Sequence, residues 1–219
     1  MEQRQRPGTP PRPGPAHPPG AATAMPGMAT VTLQPRRDAD DDALVALART
    51  GDTTAFARLV ERHQDRAYAV ALRITRSTAD AAEAVQDGLV RCWRALPAFR
   101  GDAAFSTWLH RVIARVALDR AEALAARQAR EVGPEAALEE PAETPVERDP
   151  AMARRLEALL ATLSPAQRAV VTLFYLGGQP VDAVASALSL PNGTVKTLLH
   201  RARAVLRRAW LELDAEVER

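Results

Sequence analysis

Between residues 127 and 150 the chain has almost nothing with which to build a core. Glu135, Glu139, Glu140, Glu143 and Glu147 alternate with Pro134, Pro141, Pro145 and Pro150, and Val132, Leu138 and Val146 are the only large apolar side chains. A segment this acidic and proline-rich cannot bury enough surface to offset the entropy of ordering it. It reads as a solvated flexible linker that separates two domains, each folding on its own apolar residues. Residues 1–37 are also poor in large apolar side chains, with Pro10-Pro11 and Pro18-Pro19 pairs, and read as a disordered tail in which Met25 or Met28 is an alternative start to Met1. Two stretches remain, 38–126 and 151–213, and both space their apolar residues as helices do.

In the first stretch, Leu44, Leu47 and Ala48 give a short amphipathic helix closed by Gly51-Asp52. Phe56, Leu59, Val60, His63, Ala67, Val70 and Ile74 keep helical spacing through a second. Ser77 is placed to cap a third, from Ala79 to Leu96, which Pro97 ends. After an irregular loop to Phe105, Ser106 is placed to cap a fourth helix running through Trp108, Leu109, Val112, Ile113, Val116 and Leu118. The second stretch opens with a helix around Leu156 to Leu163. Ser164-Pro165-Ala166-Gln167 is a capping box with proline at the first helical position. Gly177-Gly178 stops the helix it begins. Val181 to Leu188 makes a short helix, Ser189 to Asn192 a turn, and Gly193 to Leu213 a long final helix, which is the outline of a helix-turn-helix. The expected fold class is all-α: two small helical domains joined by an acidic flexible linker, the C-terminal one a helix-turn-helix.

The net charge of +2 conceals a strong asymmetry. Residues 192–210 carry Lys196, Arg201, Arg203, Arg207 and Arg208 without one acid, while residues 127–150 are strongly negative. Projected at helical pitch, Val195, Leu198, Leu199, Ala202, Val205, Leu206 and Ala209 share one face of the last helix, and Lys196, Thr197, His200, Arg201, Arg203, Arg207 and Arg208 the other. Exposed helices usually intersperse acids for i,i+4 pairing, so a bare basic face after a helix and a tight turn points to nucleic acid. Thr194, Lys196, Thr197, His200 and Arg201 are placed to meet base edges and phosphates. Arg203, Arg207 and Arg208 are placed to grip phosphates.

Phe99, Phe105 and Trp108 surround Arg100-Gly101-Asp102, beside a helix that carries Arg111 and Arg115. Rings next to guanidinium groups suit unstacked bases and their phosphates. By spacing alone, however, the three rings read as core closing the third helix on the fourth, Trp108 above all.

Other classes are disfavoured. Cys92 is the sole cysteine, and His17, His63, His110 and His200 are scattered, so neither a disulfide nor a zinc cluster is expected. No hydrolase elbow, phosphate-binding glycine loop or metalloprotease helix is present, and Asp41-Asp42 sits at a helix start where acids favour the dipole. No enzyme, cofactor or metal is expected. With no secretory leader and no apolar run of membrane-spanning length, the expectation is a soluble, cytoplasmic chain.

Two strings resemble the extracytoplasmic-function subfamily of bacterial RNA polymerase sigma factors. Asp80-Ala81-Ala82-Glu83-Ala84-Val85-Gln86-Asp87, Arg91-Cys92-Trp93-Arg94-Ala95-Leu96, Phe99-Arg100-Gly101 and Phe105-Ser106-Thr107-Trp108-Leu109 are similar to that family's region 2. Leu163-Ser164-Pro165-Ala166-Gln167-Arg168, Gly193-Thr194-Val195-Lys196-Thr197 and His200-Arg201-Ala202-Arg203 are similar to its region 4. The resemblance implies that 38–126 is region 2 and 151–213 region 4. Val85, Gln86, Asp87 and Leu89 would then bind the clamp of the polymerase largest subunit. Phe99, Arg100, Asp102, Phe105, Ser106, Arg111 and Arg115 would take the melted minus-10 strand, while Trp108 stays core. Thr194, Lys196, Thr197, His200, Arg201, Arg203 and Arg207 would enter the minus-35 groove.

The acidic linker would thread toward the polymerase active-site channel. The further implied properties are an anti-sigma partner, no membrane and a monomeric free state. Departures from the family pattern fall at Val116, where Asn is common, at Leu198, where Arg is frequent, at Ala121-Glu122-Ala123-Leu124, where a basic run is usual, and at Gly88 in mid-helix. The rival readings are a helix-turn-helix regulator with an N-terminal sensor or dimerisation domain, and an anti-sigma or scaffold protein without a DNA role.

Overall fold

Short polar side chains decide where several helices begin. In the computed structural model, which describes residues 39–131 and 150–217, α1 (Ala39–Arg49) is followed by Asp52, whose carboxylate accepts the Thr54 and Ala55 N–H groups at 2.8 and 3.0 Å and so starts α2 (Thr53–Thr75). Ser77 accepts from the Asp80 N–H and starts α3 (Thr78–Ala95), which tightens into a 3-10 turn at Leu96–Ala98. Residues 1–37 and most of the acidic linker lie outside the described residues.

The fourth helix, α4 (Phe105–Glu131), starts differently from expectation. Its first backbone bond runs from the Trp108 N–H to the Ala104 carbonyl, so Ser106 sits inside the first turn rather than at the cap. Its hydroxyl is buried with no hydrogen-bond partner among the described residues. α4 also runs on through residues 127–131, which the sequence reading gave to the linker.

After α5 (Pro150–Ala161), the Ser164–Gln167 capping box forms as expected, with both reciprocal bonds present, and opens α6 (Pro165–Val171). The helix then widens into a π-turn at Thr172–Leu176, closed by the Gly177 N–H on the Thr172 carbonyl. α7 (Val181–Leu188) ends on Ser189 in the left-handed region, φ 53°, and α8 (Asn192–Val217) completes the chain. No strand occurs among the described residues.

Helices α2, α3 and α4 pack mutually, sealing Leu59, Leu72, Ile74, Leu109 and Ile113. Gly88 allows the close approach of α3 to α4: a Cβ there would lie 2.3 Å from Ile113 Cδ1. α1 lies against α2 with Val45 and Ala48 buried, whereas Leu47, expected on the apolar face, is 52% exposed. A buried polar tether fixes α1 as well. Asp41, read from sequence as a helix-start acid, also takes His63 Nε2 at 2.7 Å and Arg62 Nη1 at 3.0 Å.

The two helical halves expected on either side of the linker are present, and their apolar faces meet. Leu173, Val184, Leu188, Val195 and Leu199 belong to the same buried cluster as Leu72, Ile74 and Ile113, while Leu160, Leu163, Val171 and Ala202 form a smaller cluster of the second half. The described helices of both halves fall in one compact unit.

Candidate nucleic-acid interface

On α8 the sequence pattern resolves into two physical faces. Val195, Leu199, Ala202 and Ala209 are buried, with Leu198, Val205 and Leu206 half-buried beside them. Thr194, Lys196, Thr197, His200, Arg201, Arg203, Arg207 and Arg208 are all exposed. The turn before α8 is set by Ser189, whose left-handed backbone reverses the chain while the Leu190 N–H closes on the Ala185 carbonyl at 2.9 Å. α7 thereby packs across α8 and leaves the basic face outward.

The structure adds two details to this face. Arg203 Nε donates to the Tyr175 hydroxyl at 2.6 Å, so the π-turn supplies a support for one basic side chain. Thr197 Oγ1 donates to the Gly193 carbonyl at 2.9 Å, a bond within the helix that turns its hydroxyl back on its own backbone. The Arg203 bond had no sequence signal, since a side chain's partner 28 positions away depends on how the helices pack, whereas the Thr197 bond is the local i−4 contact that a helical threonine can make.

The loop before α4 is a stack of rings. Phe99 and Trp108 lie 4.9 Å apart between centroids, Phe105 and Trp108 5.9 Å, and His63 reaches Phe105 at 5.7 Å. Phe105 and Ser106 are buried, whereas Phe99 and Trp108 are half-buried. At the loop tip Gly101 takes φ 76°, which brings Arg100 back onto Asp102 in a two-nitrogen ion pair at 3.1 and 2.8 Å, fully in solvent. The outward chemistry of the loop is therefore Arg100 and Asp102, with Phe99 half-buried beside them.

Arg111 and Arg115, one turn apart on α4, point at the second half of the chain. Arg111 Nε donates to Gln179 Oε1 at 2.7 Å, and Arg115 Nη1 donates to the Leu188 carbonyl at the end of α7 while Nη2 pairs with Asp119 at 3.0 Å. Burial lowers the Arg111 pKa, and Asp182 partly counters it. His110, on the same helix, is buried, and desolvation, aided by His63 and Arg66, pushes its pKa down to about 4. Cys92 is buried too, and desolvation pushes its thiol up to about 12.

On α3, Gln86 and Asp87 are exposed and Val85 and Leu89 half-buried. Val90, which sequence reasoning passed over, adds a 46% exposed apolar side chain beside them. Arg120 of α4 ties the acidic edge of α3 together, meeting Glu83, Asp87 at 3.1 Å and Asp80 at 3.7 Å. Among the described residues no group of three or more His, Cys, Asp or Glu side chains could hold a metal ion. Among the same residues no helix is long and apolar enough to cross a membrane.

Comparison with known proteins matches two family models to the chain: Sigma-70 region 2 over residues 59–127 and Sigma-70 region 4 over residues 153–206. The chain is 34% identical over 176 residues to the ECF RNA polymerase sigma factor SigM of Mycobacterium tuberculosis H37Rv, covering 79% of this chain and 86% of that protein. It is 29% identical to the ECF RNA polymerase sigma-E factor of Haemophilus influenzae, covering 76% of this chain and 93% of that one.

Among solved structures it resembles CnrH in complex with the cytosolic domain of CnrY, with a TM-score of 0.53, 27% identity and coverage of 80% of this chain and 99% of that one. The sigma factor RpoE of Bartonella quintana, solved with the anti-sigma factor NepR, shares the fold with a TM-score of 0.52 at 20% identity over 71% of this chain and 96% of that one. Two sigma regions in order, on an all-helical frame with an exposed basic face on α8, leave one assignment: the chain belongs to the extracytoplasmic-function sigma factors and acts with RNA polymerase in transcription initiation.

Proposed function

We propose that residues 38–126 act as region 2, binding the clamp of the polymerase largest subunit and the melted minus-10 strand, and that residues 151–213 act as region 4, placing α8 in the minus-35 major groove. The carrying observation is the fully exposed basic face of α8, which has five cations and no acid between residues 192 and 210. Its first turns present Thr194, Lys196, Thr197, His200 and Arg201, whose donors suit base edges and phosphates. Arg203 and Arg207, further along, suit the backbone.

On region 2, Val85 and Leu89 offer a half-apolar strip flanked by Gln86 and Asp87, a surface suited to the clamp, and Val90 enlarges it. Phe99, Arg100 and Asp102 are the outward groups for an unstacked base. The buried Phe105 and Ser106 support the loop's shape, and Arg111 and Arg115 supply cations for the strand's phosphates. The chain works without catalysis of its own, in the cytoplasm and as a monomer when free. An anti-sigma protein is its expected antagonist, because the solved sigma factor RpoE of Bartonella quintana is held by one.

Footprinting of a promoter by the reconstituted holoenzyme tests the assignment. Lys196→Glu and Arg201→Glu should abolish protection near minus 35, and Arg100→Glu should abolish permanganate reactivity of melted thymines near minus 10. Unchanged footprints in all three variants would refute the placement. A helix-turn-helix regulator would instead protect duplex DNA without polymerase, as a dimer on a palindrome.

A further inference from the structure

On the basic face of α8, Arg203 is held by a side chain from another element. Its Nε donates to the Tyr175 hydroxyl at 2.6 Å, and its guanidinium carbon lies 5.8 Å from the centre of the Tyr175 ring. The chemistry of this support differs from that at Arg100 and Arg120, which are oriented by carboxylates that offset their charge. A phenol orients a guanidinium and leaves its charge whole, and residues 192–210 contain no acid to offset it. With Nε engaged, the edge formed by Nη1 and Nη2 remains, without a partner among the described residues. That edge matches a pair of phosphate oxygens. The Tyr175 hydroxyl, having accepted one bond, still has its own proton to donate.

The backbone around Tyr175 is fixed. The π-turn at Thr172–Leu176 is clasped by the Gly177 N–H on the Thr172 carbonyl at 2.9 Å and by the Gln179 N–H on the Leu173 carbonyl at 3.1 Å. A Cβ at Gly177 would lie 2.6 Å from that Leu173 oxygen, so the clasp needs glycine there. Leu173 and Leu176 are buried and Phe174 meets the Tyr175 ring edge-on at 5.0 Å, while Tyr175 stays half-buried and reaches α8. Turns of this kind are frequent at functional sites.

We infer that Tyr175 and Arg203 form one phosphate clamp, which takes a single backbone phosphate at the flank of the minus-35 groove. This rests on the region 4 reading proposed above and adds to it a residue outside α8. In a helix-turn-helix the first turns of the recognition helix meet bases, and the elements packed against it meet the backbone. A hydroxyl from the turn before α7 therefore belongs at a phosphate, where it contributes affinity without sequence preference. The guanidinium is already oriented when DNA arrives, so less side-chain freedom is lost on binding.

The test uses holoenzyme reconstituted with the full chain, and fluorescent duplexes carrying the minus-35 element of a promoter located by footprinting. Tyr175→Phe keeps the ring and removes the hydroxyl. It should weaken binding about fivefold, the scale of one hydrogen bond, equally for all minus-35 sequences. The dependence of log affinity on log salt should keep its slope, since no cation is lost. Arg203→Ala should lower that slope by about one, and adding Tyr175→Phe to it should have no further effect. Duplexes in which one phosphate at a time is replaced by an uncharged methylphosphonate locate the contact. One such replacement should weaken the wild type and leave Arg203→Ala unmoved, with Tyr175→Phe losing sensitivity at that position alone.

Arg203→Lys keeps a charge but loses the Nε donor, and should weaken binding by a similar factor at unchanged slope. It carries the test alone if Tyr175→Phe loses its helical circular dichroism. Wild-type affinity in either variant overturns the inference. So do additive losses in the double variant, or methylphosphonate sensitivity that Tyr175→Phe and Arg203→Ala both keep at every position. Lys196→Glu reads the region 4 placement independently. Duplex binding lost with Lys196→Glu but untouched by Tyr175→Phe overturns the clamp alone, whereas binding indifferent to both overturns the placement and the clamp with it.

Discussion

An added methyl at Gly88 would lie 2.3 Å from Ile113 Cδ1 and 3.5 Å from its Cα, so the residue that weakens α3 by propensity is the one that lets α4 approach. Gly88→Ala gains about 1 kcal/mol of helix propensity and costs about 1–3 kcal/mol of overpacking. The net expectation is a loss of roughly 1 kcal/mol, seen as a melting temperature lower by about 2–4 °C. His110 sets a second expectation. Its ring titrates near 6.5 when unfolded and about 4 when folded, because burial disfavours its charged form. Below pH 6.5 the unfolded chain therefore holds the extra proton. Stability is full above that pH and falls as the pH drops toward 4, by up to about 3 kcal/mol. Urea midpoints at successive pH values check this, and His110→Leu should flatten the acid limb.

At the scale of elements, what could be read from sequence was local. The Ser164–Gln167 box, α7 and the division of α8 into two faces follow from residues within a few positions of one another, and the structure has them where the spacing placed them. The start of α4 did not follow, because Ser106 looks like a cap in one dimension but lies buried inside the first turn in three. Nor did the contacts between the halves: Arg111 and Gln179 are 68 positions apart, Arg168 and the Ile74 carbonyl it donates to 94 apart, and a polar pair at that distance has no periodicity to announce it. Of the candidate site, the α8 face was legible because five cations without an intervening acid have no use inside a protein. The loop was half legible, because rings serve a core and a base equally well. For α8 the expectation is quantitative. Arg207→Ala should weaken minus-35 duplex binding about equally for all sequences and reduce the slope of log affinity against log salt by about one. Arg201→Ala should instead change the ranking among minus-35 sequences.

For the whole molecule, charge and topology act together. A negative linker lies between a nearly neutral first half and a basic second half, and the basic face of α8 is exposed. In the proposed function, promoter choice belongs to this chain and catalysis to the polymerase. Run-off transcription with core polymerase on a panel of promoters, with and without the chain, tests that division most directly. Specific transcripts should appear only when the chain is added and should disappear with Lys196→Glu or Arg201→Glu. Transcripts that appear without the chain, or that survive both substitutions unchanged, would contradict it.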